Sequence, residues 1–489
     1  MAAAPVAAPA WVPWQPRLTD SQGDAVTVLP GVLAAALQAV PVMIADVGEW
    51  SENQRVKAAD EAADIIASGA DALWLTDPRQ LRRSEVSPHQ VGAAITTGLA
   101  ILAHRAGGVR FGGLHWHADP AACTACPGLG VWAVVPTGDT RRASLGAFYT
   151  PRALAEEVVA NALGVLLEPA SPGGLAGDIE SLRVADIFCG SGAFLVAACR
   201  FLGDALAAAW DADEQARALD HYQTADVTLA ARALVATTCL FGVDIDPLSV
   251  ELAALALQLL APSHQPASGR LPGLRVGDAL VGRGPRDETI TGFPDTAARL
   301  DWPETFPDVF GAGGLGFDAV IGNPPWLGGQ YLSGAVGAAY REHLVAAVAR
   351  GVRGRADLAA YCWLRAHELV SPCGVVGIVG PNALLRGATA RVGRDQLAAR
   401  GWRPYREVTA RTWPARSAAV SCCLVWTHLY AHPPAAFRDR DQQPIPGSVL
   451  VGTIPITVDG TDDEICRYVF DSDQPRPLLG AHGGVPDGR

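Results

Sequence analysis

The stretch VADIFCGSGAFL, at residues 184–195, decides the fold. Its first residues are apolar and predict a buried strand, and Gly190 and Gly192 punctuate a short turn before an alanine-rich helical run. Glycines let the backbone approach a ligand closely, and a helix N-terminus favours an anionic group. The stretch therefore predicts strand, turn and helix, with a ligand site at the turn.

Two later strand ends carry carboxylates. Asp244 follows an apolar segment in GVDIDP at residues 242–247, about 50 residues after the glycine turn, and Asp278 follows another in VGDAL at residues 276–280. A carboxylate at the end of a parallel strand is suited to accept hydrogen bonds from ribose hydroxyls.

A fourth strand, FDAVIG at residues 317–322, runs directly into Asn323, Pro324, Pro325 and Trp326. Consecutive prolines fix φ and remove two backbone donors, so the chain leaves the sheet stiffly. The asparagine oxygen can accept from an exocyclic amine, and the tryptophan face can stack on a planar base. Alone, the tetrapeptide is also typical of an ordinary turn, so its interpretation depends on the motifs around it.

Upstream, the sequence GAFYTP at residues 146–151 contains Tyr149, Thr150 and Pro151. Threonine is a good N-cap, and proline is favoured at the first helical position. We expect Thr150 to cap a helix that begins at Pro151.

Apolar strand-like runs alternate with long Ala/Leu-rich helical segments through the middle of the chain, which predicts an α/β fold with a mostly parallel sheet and helices on both faces. The strand candidates are residues 183–188, 240–244, 317–322, 375–379 and 420–426. Residues 1–145 form a separate, mainly helical unit, with helices near 52–68 and 87–105. Residues 146–430 form the main domain, and 431–489 a Pro/Gly-rich segment with one strand near 448–458.

The composition is that of a globular protein: 489 residues, 49% hydrophobic and 18% charged. The net charge of −12 gives no general argument for nucleic-acid binding, but residues 341–416 contain 13 arginines and 5 acids. A solvated arginine-rich face and a phosphate-contacting surface both remain open. We expect a cytoplasmic protein without a membrane span, because the 10 cysteines show no small-scaffold disulfide pattern and no targeting segment is evident.

His115, His117, Cys123 and Cys126 supply zinc-type ligands at short spacing. They would hold a structural zinc ion. A second Cys-x-x-Cys pair is missing, so a loop with incidental histidines and cysteines is the alternative.

In this order, the Phe-Tyr-Thr-Pro element, the glycine turn, the strand-end acids and Asn-Pro-Pro-Trp resemble gamma-class N6-adenine DNA methyltransferases. The resemblance is to the methylase domain of type IIG and type IIL restriction–modification and phage-defence enzymes, and it covers residues 146–430. It implies a class I S-adenosylmethionine-dependent methyltransferase fold, which is Rossmann-like. The sequence departs from the family at Ile187-Phe188, where Pro-Ala is commoner.

The resemblance also implies roles for single residues. Asp244 would hold the cofactor ribose and Asp278 the adenine edge. The methionine moiety would lie between two groups of residues. One is the element Tyr149, Thr150 and Pro151, and the other consists of Asp186 and the turn residues Cys189, Gly190, Ser191 and Gly192. The Asn323 oxygen and the Pro324 carbonyl would accept from the amine of a flipped-out adenine, with Pro325 completing the turn and Trp326 stacking on the base. Trp413 is either the opposite face of that clamp or a core residue.

Double-stranded DNA is the expected substrate. We expect no nuclease, since Lys57 stands among Gln54, Arg55, Val56 and Ala58 with no Glu-x-Lys pattern, and the final 59 residues are too few for an ordinary recognition domain. Three arrangements therefore remain open: recognition in residues 1–145, a separate specificity or nuclease subunit, and a truncated product that binds cofactor but finds no site. The alternatives are a glutamine-N5 protein methyltransferase and a non-catalytic subunit that retains the fold. Pro372-Cys373 is read as a turn rather than as the thiolate site of a cytosine-C5 enzyme.

Overall fold

The N-terminal part of the chain is mainly helical in the computed structural model. The structure describes residues 18–19, 25–26, 31–69, 86–111, 114–119, 150–167, 175–261, 271–285, 299–311, 314–413, 421–429, 451–458, 461–471 and 474–477. The first elements are β1 (Leu18–Thr19), β2 (Ala25–Val26), α1 (Gly31–Gly48), α2 (Glu52–Gly69), α3 (Pro88–Ala106), β3 (Gly108–Phe111) and β4 (Leu114–His117).

Both helices predicted in this part are confirmed. The α3 helix begins with Ser87 as N-cap in a capping box with Gln90, and it ends at Gly107 with φ 69°. The α1 helix was not predicted, because Pro41 lies inside it. Its buried side chains recur every three to four residues, so packing of one apolar face outweighs the missing backbone donor.

The main domain is built on a seven-stranded sheet. Its strand order is β10-β11-β9-β8-β5-β6-β7, and β11 runs antiparallel to both its neighbours while the remaining pairs are parallel. The strands are β5 (Val184–Asp186), β6 (Leu240–Asp244), β7 (Leu274–Val276), β8 (Phe317–Gly322), β9 (Val370–Pro381), β10 (Arg403–Thr412) and β11 (Ser421–His428). The expected mostly parallel sheet is confirmed.

Helices cover both faces of this sheet. They are α4 (Arg152–Leu163), α5 (Leu175–Ser181), α6 (Ala193–Ala209), α7 (Ala212–Tyr222), α8 (Val227–Thr238), α9 (Pro247–Leu260), α10 (Trp302–Thr305), α11 (Pro307–Phe310), α12 (Leu332–Val336), α13 (Ala338–His343), α14 (Leu358–Leu369), α15 (Gly387–Val392) and α16 (Arg394–Ala399). Single turns of 3-10 helix lie at Gly164–Leu166 and Asn382–Leu385, and a π-helical turn lies at Leu344–Val348.

Alternate side chains of each central strand enter two different cores, as the pleat of a strand requires. Ala319 and Ile321 pack with α4, α6, α8 and α9, and the N-terminal helices α1–α3 join this same core. Val320 faces the other core, which is formed with α14 and the aromatic residues of α10 and α11. The sheet is therefore buried on both sides, and the N-terminal unit thickens one of them.

Two predictions about local structure are wrong, and one strand was not predicted. Pro372-Cys373 lies within β9, not in a turn, because β9 begins at Val370 and carries a register shift against β8. Thr150 does not cap a helix, since Pro151 holds the N-cap position of α4 and no side chain caps it. The strand β10 was missed because its side chains are mostly exposed and four of them are arginines or glutamate.

The last described elements are the strands β12 (Val451–Val458), β13 (Thr461–Asp471) and β14 (Gln474–Pro477), which form an antiparallel sheet. The strand predicted near 448–458 is confirmed by β12. Within the described part of the chain, no helix combines the length and hydropathy needed to cross a bilayer.

Candidate active site at the carboxyl ends of the parallel strands

The order of the parallel strands reverses between β5 and β8. In an open α/β sheet, ligands bind in the crevice outside the carboxyl ends of the strands at such a reversal. The glycine turn follows β5, and Asn323-Pro324-Pro325-Trp326 follows β8. The fold thus brings two segments that are far apart in sequence to one crevice.

The contact between these segments is close at Asp186 and Gly322. A Cβ atom on Gly322 would lie 2.6 Å from Asp186 Oδ1, so only glycine leaves room for the carboxyl group. Asp186 is 1% exposed, and its Oδ1 accepts from the Phe188 backbone N–H at 3.1 Å. Its Oδ2 is buried and has no hydrogen-bond donor among the described residues. Burial, followed by the nearby Asp244 carboxylate, raises the pKa of Asp186 to about 8, although the Phe188 hydrogen bond opposes the shift.

The glycine turn has the backbone geometry that its sequence requires. Gly190 has φ 52° and Gly192 has φ 94°, both in the left-handed region that favours glycine. A Cβ on Gly190 would meet nothing within 4 Å, while one on Gly192 would come within 3.1 Å of Ala253 on α9. Gly190 therefore borders open space, and Gly192 permits close packing of the turn.

The other residues of the turn are anchored on the protein. The Cys189 side chain is buried, and its backbone N–H donates to the Val243 carbonyl at 2.9 Å. Burial raises the pKa of the Cys189 thiol well above its usual range, so it is a neutral packing group. The Ser191 hydroxyl donates to the carbonyl of Ala67, which lies on α2.

Asp244 joins the turn to the next strand. Its Oδ2 accepts from the Gly190 backbone N–H at 2.8 Å, and its Oδ1 accepts from the Asp246 backbone N–H at 2.9 Å. Asp246 in turn caps α9 through the backbone N–H groups of Leu248 and Ser249. Asp244 is therefore placed at the turn by hydrogen bonds on both of its oxygens.

Asp278 lies deeper, at 6% exposure. The Tyr340 hydroxyl lies 3.1 and 2.9 Å from its two oxygens, and the Leu280 backbone N–H donates to Oδ1 at 2.9 Å. Burial raises the pKa of Asp278, and the two hydrogen bonds oppose that shift. Sequence reasoning gave Tyr340 no role, because its partner lies 62 residues away.

Asn323 is held by Thr150. The Asn323 amide Nδ2 donates to Thr150 Oγ1 at 3.1 Å, and Thr150 is 5% exposed. This contact explains why Thr150 does not cap α4, because its side chain points to the Asn-Pro-Pro-Trp segment instead of back to the helix. Pro151 follows at the N-cap, and Tyr149 lies outside the described residues.

Pro324 is buried and Pro325 is half-buried, as is Trp326. The Trp326 ring meets Trp413 edge-on, with centroids 5.3 Å apart and planes at 85°. Trp413 is 8% exposed and belongs to the core shared with α4 and α6. Two rings at right angles and in contact cannot hold a flat base between them.

The segment after Trp326 is fixed by Asp357, the N-cap of α14. Asp357 Oδ1 accepts from the backbone N–H groups of Leu327 at 3.1 Å and Ala359 at 3.0 Å. Its own backbone N–H donates to Thr389 Oγ1 at 3.1 Å. Sequence analysis did not find this anchor, although an Asp just before a helix is a signal for one.

Of the four candidate zinc ligands, the structure describes His115 and His117 on β4, with ring centroids 4.2 Å apart. Cys123 and Cys126 lie outside the described residues. No cluster of three metal-type side chains occurs in the portion of the chain for which coordinates are described. The zinc site stays a prediction.

Several arginines of residues 341–416 are paired with acids. The ion pairs are Arg353–Glu342 at 2.7 Å, Arg350–Glu368 at 3.6 Å, Arg394–Glu407 at 3.3 Å and Arg411–Glu157 at 2.9 Å. Part of the positive charge of this region is therefore paired with acids of the protein itself.

The strand order, the glycine turn and the strand-end acids define a class I methyltransferase fold. Residues 238–400 match the family model of the Eco57I restriction-modification methylase. This match confirms the resemblance to restriction–modification methylases that the motifs indicated. No curated protein matches the chain.

Solved structures that are similar to this chain include three restriction–modification proteins. The type IIL restriction-modification enzyme MmeI in complex with DNA is 17% identical, with TM-score 0.41, over 61% of this chain and 39% of that one. The type IIG restriction endonuclease BpuSI is 14% identical, with TM-score 0.36, over 82% and 37%. A type I methyltransferase subunit from Streptococcus thermophilus is 18% identical, with TM-score 0.34, over 57% and 44%. This chain spans less than half the length of each.

Proposed function

We propose that this chain transfers a methyl group from S-adenosylmethionine to N6 of an adenine flipped out of double-stranded DNA, in a restriction–modification or phage-defence system. The observation that carries the proposal is the close approach of the two strand ends, because a Cβ atom on Gly322, the residue before Asn323, would lie 2.6 Å from Asp186 Oδ1 at the end of β5. This approach supports the assignment of Asn323 as the acceptor for an amine next to the glycine turn.

The residues present fit the cofactor. Gly190 borders open space, the buried Asp186 Oδ2 lacks a donor among the described residues, and Asp244 stands at the end of β6. Asp186 and the turn Cys189–Gly192 would hold the methionine part, Asp244 the ribose and Asp278 the adenine edge, with Thr150 and Pro151 closing the methionine end. When bound, S-adenosylmethionine supplies an electrophilic methyl group on a sulfonium.

The chain's own task is to make a poor nucleophile react. The N6 lone pair of adenine is conjugated into the ring, so acceptors on its two hydrogens favour the pyramidal, reactive nitrogen. The Asn323 oxygen and the Pro324 carbonyl are assigned this role. Because Asn323 Nδ2 faces Thr150, the oxygen lies on the opposite side of the amide. Fixed dipoles and positioning then supply most of the barrier lowering, with no covalent intermediate.

Trp326 supplies one face for stacking the extrahelical base. Trp413 is assigned to the support of Trp326, because the two rings already contact each other edge to face. The choice of DNA sequence would come from residues 1–145 or from a partner subunit, and any cleavage would come from a partner subunit. The same proposal implies a cytoplasmic location, because the DNA substrate is accessible there.

The test is nucleoside analysis of unmethylated DNA after incubation with the purified chain and isotope-labelled S-adenosylmethionine. We expect label in N6-methyladenine, lost in Asn323→Ala and kept in Asn161→Ala, a control on α4 whose side-chain amide donates to the Glu157 carbonyl of the same helix. Label in N4-methylcytosine would overturn the base assignment, and label in a protein glutamine would favour the glutamine-N5 alternative. Absence of cofactor binding would favour a non-catalytic subunit.

A further inference from the structure

The N-terminal helix α2 reaches the glycine turn of the candidate active site. The Ser191 hydroxyl, in the middle of that turn, donates to the Ala67 carbonyl at 2.8 Å. Ala67 is 4% exposed and lies in the last turn of α2. The contact spans 124 residues of sequence and ties the turn to a helix outside the main domain.

One turn earlier on α2, Asp64 binds two arginines from different parts of the main domain. Its Oδ1 accepts from Arg200 Nη1 at 2.5 Å, and its Oδ2 accepts from Arg152 Nη1. The Arg200 side chain is 9% exposed and that of Asp64 is 21% exposed, so this ion pair is largely shielded from water. Charge-assisted hydrogen bonds of this kind are among the stronger ones in proteins.

The two arginines belong to the two walls of the proposed cofactor site. Arg200 lies on α6, the helix that begins directly after Gly192. Arg152 is the first residue of α4, directly after Pro151 and two residues from Thr150. Since Thr150 accepts from Asn323, Asp64 is linked through Arg152 to the segment that carries the candidate catalytic asparagine.

We propose that Asp64 is a positioning residue, which sets the separation between the start of α4 and the helix after the glycine turn. The inference rests on the proposed function, because it assumes that the cofactor lies between these two elements. A carboxylate that binds one guanidinium with each oxygen fixes both partners relative to α2. The N-terminal unit thereby becomes part of the cofactor site without touching the cofactor.

A neighbouring residue offers a matched control. Asp60, one turn before Asp64, binds Arg200 at 3.0 Å and lies 3.9 Å from Arg232, but forms no ion pair with Arg152 among the described side chains. Its side chain is 42% exposed. Asp60→Asn therefore weakens the attachment of α2 to α6 while leaving the bridge to α4 in place.

The experiment measures the Kd for S-adenosylmethionine by calorimetry, together with Tm, for the unchanged chain, Asp64→Asn, Asp64→Glu and Asp60→Asn. We expect Asp64→Asn to weaken binding about tenfold, which corresponds to about 1.4 kcal/mol, because it loosens the charged bridge between the two elements that border the cofactor. Asp60→Asn should change Kd less than about threefold for a similar loss in Tm, and Asp64→Glu should restore most of the affinity.

If Asp64→Asn does not fold, Arg152→Met takes its place, because the Arg152 side chain is half-exposed and its loss removes the link from α2 to α4 together with the exposed pair to Glu156 within α4. The same direction of change is expected. Equal affinity of the unchanged chain and these variants would overturn the inference, as would equal losses in Asp60→Asn and Asp64→Asn. Failure of the unchanged chain to bind the cofactor would instead overturn the proposed function, on which the inference depends.

Discussion

Replacing Asp186 with asparagine should stabilise the ligand-free protein at alkaline pH. The carboxyl group is 1% exposed, and its Oδ2 has no donor among the described residues. Burial disfavours the charged form and raises the pKa to about 8 from an ordinary value of 3.8. An asparagine keeps the Oδ1 acceptor for the Phe188 N–H but carries no charge, so it removes the cost of burying a carboxylate.

The sign and the size of the effect follow from this shift. Between pH about 4 and about 8 the folded state retains a proton that the unfolded state releases, so the free energy of unfolding falls as the pH rises through this window. Above pH about 8 the contribution is constant. The shift sets an upper limit of about 6 kcal/mol, and relaxation or water entry would leave about 2 to 4 kcal/mol of it.

Urea unfolding of both proteins at about pH 5 and about pH 9 measures this difference. The free energy of unfolding of Asp186→Asn should rise relative to that of the unchanged protein as the pH rises. The exposed control Asp220→Asn should have the same free energy of unfolding as the unchanged protein at both pH values. The variant should also lose affinity for S-adenosylmethionine, whose cationic amine favours a carboxylate. A constant stability difference at the two pH values would refute the assigned protonation of Asp186.

Gly322→Ala should destabilise the protein by about 1–3 kcal/mol in urea unfolding, because its Cβ would lie 2.6 Å from Asp186 Oδ1. Gly328→Ala is the control, since its Cβ would be 3.8 Å from Tyr331, and equal effects of the two changes would contradict the steric argument. Tyr340→Phe should cost about 1–2 kcal/mol in the same assay and weaken cofactor binding, because it removes the hydroxyl from the buried Asp278 carboxylate. Tyr331→Phe, at a 63% exposed position, should change neither quantity, and an unaltered Tyr340→Phe protein would count against this contact.

The sequence predicts the central strands well, because they are apolar on both faces and end in glycine or acidic residues. Residues 240–244 and 317–322 coincide with β6 and β8. The edge strand β10 escapes such reasoning, because its exposed side chains show no apolar pattern. Its place in the sheet comes from pairing with β11, which is a tertiary property.

The candidate site was likewise predicted in part from the sequence. The types and spacing of Asp186, Asp244 and Asn323 could be read from the sequence, because each stands at the end of an apolar strand. The hydrogen-bond partners of such groups could not be predicted, because they depend on how distant segments pack together. Thr150 and Asn323 are 173 residues apart in sequence, and Tyr340 and Asp278 are 62 residues apart. Local propensity even favoured a different use of Thr150, as a helix cap, which the tertiary contact overrides.

The position of β5 in the middle of the sheet has a consequence for synthesis of the chain. β5 ends at Asp186, but its neighbour β8 begins only at Phe317, so one edge of an entirely buried strand has no partner until about 130 more residues are made. At a translation rate of 5–20 residues per second, this interval lasts roughly 7 to 26 seconds. During that time, the nascent chain exposes an apolar strand edge that can pair with other chains. The second edge of β5 is paired only after β8 leaves the ribosome.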